Sequence, residues 1–278
     1  GNFREAREQA RFVVQRAPTN SEAWMLLWDT TMTTNDVPET RQWLEKLREP
    51  GSRCAGYHLA WSGLYGRMGD LGQAEAAVRR ALEVEPRSSA AHYARGLMLA
   101  RADRIREAEA EFKAAAELAP PRSGYHLRYA EFKAATGDRT GARAILEEVV
   151  KRAPDYLAGW TELAKLELAE RRWDAAEQAL RRVLARDPMN LPALLLRPQL
   201  AVARGQYTNA VTELERVLKL VPNHPRVLYQ MALASLMIND VSRAVSSLEQ
   251  AIQAAPEYTE AVVLLAELRL RRGDPAGA

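Results

Sequence analysis

A spacing of 34 residues runs the length of this chain with no insertion, and it limits the available folds more than any other feature. Sampled at that interval, one column reads Ala6, Thr40, Ala74, Ala108, Ala142, Ala176, Ala210, Ala244 and Ala278. A second reads Pro18, Ser52, Pro86, Pro120, Pro154, Pro188, Pro222 and Pro256. A third holds mostly small residues, from Trp28 and Ser62 through Gly96, Ala130, Ala164, Pro198 and Ala232 to Ala266. A period of this length marks a stack of small units, none of which buries its apolar face alone.

The most regular copy is Leu157 to Asn190. Apolar residues recur at helical spacing through Trp160, Leu163, Ala164, Leu166 and Leu168, then again through Ala176, Leu180, Val183 and Leu184. The polar run Glu170-Arg171-Arg172 separates the two stretches, and Asp187-Pro188 ends the second, where proline interrupts a helix. Each unit is therefore predicted to be a helix A, a turn and a helix B. The register gives a single array over 1–278: a half unit at 1–20, seven full units at 21–54, 55–88, 89–122, 123–156, 157–190, 191–224 and 225–258, and a half unit at 259–278. About 16 helices and no strand are expected. Both ends fall at turns between paired helices, so the chain is expected to be a section of a longer array.

Position 15 of the units holds Gly1, Asn35, Gly69, Asp103, Gly137, Arg171, Gly205, Asn239 and Gly273. Glycine enters the left-handed region freely and Asn or Asp tolerate it, so a left-handed residue is predicted after each helix A, with Arg171 the poor fit. Two units depart from the pattern. In 21–54 the small columns carry Trp28 and Thr40 and the proline moves to Pro50, which predicts splayed helices. In 191–224 Pro198 lies mid-helix, where it removes a hydrogen bond and favours a kink.

Composition narrows the functional classes. The formal net charge is +3, with no basic segment, which argues against nucleic acid as the main ligand. No apolar run approaches the length of a membrane span, so no direct insertion is expected. Cys54 is the single cysteine, which excludes an internal disulfide and a cysteine metal site; it reads as an ordinary loop thiol. His58, His92 and His126 share position 4 of consecutive units. Packed helices lie about 8–10 Å apart, too far for neighbouring rungs to share a zinc ion, so these are read as packing residues. No nucleophile constellation, carboxylate pair or phosphate loop is present, and neither an enzyme nor a cofactor is expected. Arginine and alanine enrichment suggests a bacterial source; periplasm, cell envelope and cytoplasm all stay open.

The period, the helix pair, the small residues at positions 8 and 20 and the proline at 32 resemble the tetratricopeptide repeat (TPR) family. Trp24 and Trp160 match its aromatic at position 4, Leu27, Leu163 and Leu265 its position 7, and Gly96 its glycine at 8. The resemblance covers the whole chain and implies an all-α, right-handed superhelical α-solenoid of antiparallel helix pairs. It further implies that helix A lines a concave groove whose positions 2, 5, 9, 12 and 13 meet a ligand. Carried onto this chain, with Arg128 added from the neighbouring position 6, the groove residues are Met25, Asp29, Leu59, Tyr93, Leu97, Leu127, Arg128, Glu131, Lys165, Leu195, Gln199, Tyr229, Leu233 and Met237. Tyr93, Leu97, Tyr229, Leu233 and Met237 are the expected anchors, being large and low in charge. The family's carboxylate clamp is not matched, because Arg128, Lys165 and Arg226 stand apart without an asparagine. Nor is its asparagine ladder, since position 6 holds no asparagine.

The implied function is a non-catalytic protein-interaction scaffold that accepts a peptide, helix or loop of a partner in that groove. The alternative is a regulatory or positioning arm of a larger enzyme or of an envelope machine for polysaccharide export or assembly, with the active part elsewhere. Self-association through the exposed end helices is a third expectation.

Overall fold

In a computed structural model, residues 3–30 and 36–271 are described. Gly1, Met32, Asn35, Gly273 and Ala278 fall outside them. The helices are α1 (Phe3–Arg16), α2 (Ser21–Asp29), α3 (Asp36–Lys46), α4 (Arg48–Gly51), α5 (Ala55–Arg67), α6 (Leu71–Val84), α7 (Ser89–Arg101), α8 (Ile105–Leu118), α9 (Gly124–Ala135), α10 (Arg139–Arg152), α11 (Leu157–Ala169), α12 (Trp173–Arg186), α13 (Leu191–Ala203), α14 (Tyr207–Leu220), α15 (Pro225–Met237), α16 (Val241–Ala254) and α17 (Thr259–Arg271). No strand occurs among the described residues. Two compact units are formed, residues 1–145 and 146–278.

Among the described residues seventeen helices replace the sixteen expected, and the addition is α4. Pro50 stands two residues ahead of the usual proline. It falls in the first turn of α4, where its missing amide hydrogen costs nothing. The last stretch of that helix B therefore survives as a separate four-residue turn.

Helix A packs on its own helix B and on the preceding helix B, as α7 does on α8 and α6 and α15 does on α16 and α14. The alanine column explains the close approach: Ala74, Ala108, Ala142, Ala176, Ala210 and Ala244 are all buried. Val78, Val183, Val217 and Leu248, on the same helix faces, fill the space around them.

The turns follow the sequence closely. Gly69, Asp103, Gly137, Arg171, Gly205 and Asn239 all have positive φ. In five of these turns the next amide reaches back to helix A, as in Asp70 N to the Tyr65 carbonyl at 2.9 Å and Arg172 N to the Glu167 carbonyl at 2.8 Å. This is the Schellman arrangement, which satisfies carbonyls left open at a helix end. Arg171 adopts φ 59° despite its side chain. Asn223, in an inter-repeat turn, is left-handed as well, a position the repeat register did not single out.

The first full unit departs from the pattern. Helix α2 packs on α1 and α5, and its Trp24 and Leu27 share a core cluster with Leu44 of α3. Trp28 occupies the place of a small residue, and α5 yields to it: a Cβ on Gly63 would lie 2.2 Å from the Trp28 ring. Seven residues earlier, a Cβ on Gly56 would meet the Ser21 carbonyl oxygen at 2.2 Å. Two glycines on one face of α5 thus admit α2. Helix α3 is held to α1 by Arg7–Asp36 and Arg11–Glu39, each at 2.5 Å. In the other irregular unit α13 is continuous through Pro198, which is buried.

Two outcomes test this account. Gly63→Ala should cost about 1–3 kcal/mol in the parent and under about 0.5 kcal/mol in a Trp28→Ala background, read by urea unfolding. Equal costs would remove the proposed coupling. Arg171→Gly should raise stability by about 1 kcal/mol by relieving the left-handed strain, whereas the same change at exposed Arg79, inside α6, should lower it.

Candidate functional site

The candidate residues do not form one site. Leu59 is only 5% exposed, packed among Ala55, Val78, Ala81 and Ala91, and so belongs to the core; its expected place in a groove is corrected. Burial follows because α5 meets helices on several sides. Met25 lies half-buried against the same cluster. Tyr93 is half-buried, its ring 5.6 Å from Phe112 and 5.4 Å from Tyr125. Burial is the main cause that pushes the Tyr125 hydroxyl up, with Tyr93 and Asp29 adding to it. Asp29 and Leu97 are exposed and Leu127 is half-buried. Arg128 and Glu131 pair with each other at 2.8 Å, and Lys165 pairs with Glu162 at 3.2 Å.

In the second unit three candidates come together. Gln199, Leu233 and Met237 line a groove of about 490 Å³ between α13 and α15. Pro198, Val202, Tyr207, Leu214, Gln230, Ala234 and Leu236 complete its wall, and none of these residues is charged. Leu233 is 41% exposed, Met237 56% and Val202 42%. Val263 and Leu270 on α17 are also open to solvent, at other helix-A positions of this unit. Gln199 is turned onto its own helix, its Nε2 donating to the Leu195 carbonyl at 3.1 Å. Leu195 packs half-buried on the cluster of Leu214 and Val217. Tyr229 sits edge-on to Tyr258 at 5.5 Å, with Burial as the main cause raising the Tyr258 hydroxyl.

Sequence reasoning put Val202 at position 12, one of the positions the resemblance assigns to the groove, but left Pro198 out of it. It also missed Tyr207 and Leu214, because helix B was assigned wholly to the frame.

The histidine ladder has a different purpose. His58 Nε2 lies 2.9 Å from the Ser52 carbonyl, His92 Nε2 3.0 Å from that of Pro86, and His126 Nε2 3.1 Å from that of Pro120. Trp24 and Trp160 make the same bond to Pro18 and Pro154, at 2.7 and 2.9 Å. A carbonyl only accepts, so Nε2 carries the proton in each histidine and is not offered to a metal. Position 4 therefore supplies a ring N–H that ties helix A to the turn six residues before it. Cys54 joins this framework: it is buried, not in an open loop, and its Sγ donates to the Pro18 carbonyl at 3.7 Å. Burial pushes the Cys54 thiol up. No helix among the described residues is long and apolar enough to cross a membrane.

Family models described as tetratricopeptide repeat match residues 59–123, 99–166 and 133–200. The model for the second ARM domain of tetratricopeptide repeat protein 21 matches 203–273. No curated protein matches the chain in sequence. Among solved structures, yeast Tom70 superposes with TM-score 0.71 at 15% identity, over 99% of this chain and 61% of that one. A chain of the APC/C hetero-tetramer Cut9–Hcn1 gives 0.66 at 15% identity, over 96% and 52%. A tetratricopeptide repeat protein from Parabacteroides merdae gives 0.63 at 17% identity, over 79% and 87%. The chain thus spans little more than half the length of the first and second of these.

The His58 bond makes folding sensitive to pH. Desolvation by burial is the main cause that holds His58 below its ordinary value of 6.5, partly opposed by the Ser52 carbonyl. Above that value His58 is neutral in folded and unfolded chains alike. Below it the unfolded chain takes up a proton that the folded chain resists, so stability falls with pH until the folded pKa is reached. Urea unfolding from about pH 8 down to about pH 5 should show a shallower loss for His58→Gln than for the parent. Identical slopes would exclude His58 as a contributor.

Proposed function

Because this chain belongs to the tetratricopeptide repeat family, we propose that it is a non-catalytic scaffold whose groove between α13 and α15 receives an apolar helical stretch of a partner protein. The family's all-α solenoid serves protein–protein interaction, and a fold of this kind leaves the particular function to its surface. The observation that carries the reading is the exposure of Val202, Leu233 and Met237 around one groove with no charged lining residue. Apolar surface of this kind is costly in water and is released from it by a partner's apolar side chains.

A helix suits the groove better than a loop. The lining offers few polar partners, Gln230 and Tyr207 among them, while Gln199 is already engaged with its own helix. An extended segment would bury backbone N–H and C=O groups against apolar walls, at a cost a helix avoids by bonding its own backbone. Met237 at the rim adapts its shape at low cost. If the array serves as the positioning arm of a larger machine, this groove is the contact by which it holds its partner.

A photo-crosslinking residue at Met237 should label a partner, and the same residue at exposed Arg186 should not. The Leu233→Ser/Met237→Ser variant should then bind the purified partner at least about tenfold more weakly, with an unchanged melting temperature. Equal labelling from both positions, or unchanged affinity, would overturn the assignment.

A further inference from the structure

Three surface grooves run beside helix B, and one of them differs in charge. In the groove of α6 and α7, Arg79 pairs with Glu83 at 4.0 Å, Arg95 with Glu111 at 3.5 Å and Arg104 with Glu107 at 2.5 Å. In the groove of α12, α13 and α14, Arg197 and Arg216 pair with Glu213 at 2.8 and 3.2 Å. There Arg204 reaches Asp174 at 2.6 Å, and Arg181 pairs with Glu177. Every arginine in these two grooves is neutralised from within the chain.

The third groove, of about 620 Å³, is bounded by α3, α4, α5 and α6. Arg41 pairs with Glu45 at 2.8 Å. Arg48 and Arg80 also line it, and neither has a carboxylate partner among the described residues. Its floor is aromatic where the others are aliphatic: Trp61 and Tyr65 stack at 5.3 Å with 26° between their planes. Tyr57 forms a fixed wall, its hydroxyl donating to the Leu44 carbonyl at 3.0 Å. Met68, at the edge, is more than half exposed. Arg48 contributes to the electrostatics at Tyr57 and Arg80 to those at His58, which sets both guanidinium groups beside the same cavity.

We propose that this groove is a second docking site, which binds an acidic segment of a partner protein through carboxylates on Arg48 and Arg80 and an apolar side chain laid on Trp61 and Tyr65. Guanidinium forks match carboxylates in two-point geometry, and an aromatic floor gives the contact area that ion pairs alone lack. A nucleic acid fits less well. Its affinity grows with the number of phosphates neutralised, and this groove offers two free cations and carries Glu45 in its wall. The site is separate from the groove of α13 and α15, and its test is independent of that one.

Fluorescence anisotropy on the intact chain supplies the test, with a labelled peptide of alternating glutamate and leucine as the probe. The counterpart with lysine in place of glutamate and a single-stranded oligonucleotide are the controls. The glutamate peptide should bind at least about tenfold more tightly than either control, and more weakly as salt is raised. R48E/R80E should lose at least about tenfold in affinity for the glutamate peptide and gain affinity for the lysine peptide. R101E/R106E, which makes the same change in net charge outside the groove, should bind as the parent does. If circular dichroism shows that charge reversal unfolds the chain, R48Q/R80Q carries the same expected loss. Equal affinity for the two peptides, an equal loss in R101E/R106E, or tighter binding of the oligonucleotide would overturn the proposal.

Discussion

The structure depends on the absence of side-chain volume at one position per repeat. Helices pack at distances set by the residues between them, and a methyl group at the crossing lets helix B lie close to helix A. Alanine meets this requirement in α6, α8, α10, α12, α14 and α16, where the column is buried throughout. A larger side chain there would press on helix A and tend to separate the pair. The remaining regularities follow from that contact. Once the two helices are close, the turn between them is short, and a short turn after a helix needs a left-handed residue. Asp103, Arg171 and Asn239 accept that conformation alongside the glycines because the Schellman bonds it permits satisfy helix-end carbonyls.

A second contact ties helix A of five repeats to the turn that precedes it. The ring N–H of Trp24, His58, His92, His126 or Trp160 holds the carbonyl of the inter-repeat turn. Tryptophan and histidine share little as hydrophobes. What they share is a planar ring with a donor at similar reach, which explains why both occur in one column. Leu194 and Leu228 take the same position in later repeats as buried apolar residues without a donor. In those repeats Asn190 caps α13 through its side chain, while His224 precedes α15 without a side-chain cap.

Much of the frame was legible because it is periodic. A column repeated at 34 residues reports a spatial requirement directly, and the small residues, the turn residues and the irregular unit at 21–54 were read from it. The functional surface was less legible because it is not periodic. Leu59 and Leu233 both occupy helix-A positions expected to face a ligand, yet one is core and the other surface. The difference lies in neighbours: α5 also meets α2 and α7, so the face of Leu59 is covered. Trp61 and Tyr65 were not among the expected groove residues, and only the arrangement of α3 and α4 reveals a trough above them.

The two irregular repeats are also where grooves with unusual linings occur, and the architecture gives a reason. In an array each unit touches only its neighbours, so a local defect is not multiplied through a shared core. Pro198 removes one helical hydrogen bond and leaves α13 continuous, while its ring adds apolar surface to the α13–α15 groove. Pro50 divides a helix, and the resulting turn carries Arg48 to the edge of the aromatic trough. Trp28 fills a place meant for alanine, and Gly63 absorbs it. Each departure costs stability at one site and changes the surface at that same site. A globular domain of this size, with one contiguous core, would spread the same defects through its packing and would have less freedom to turn them into binding surface.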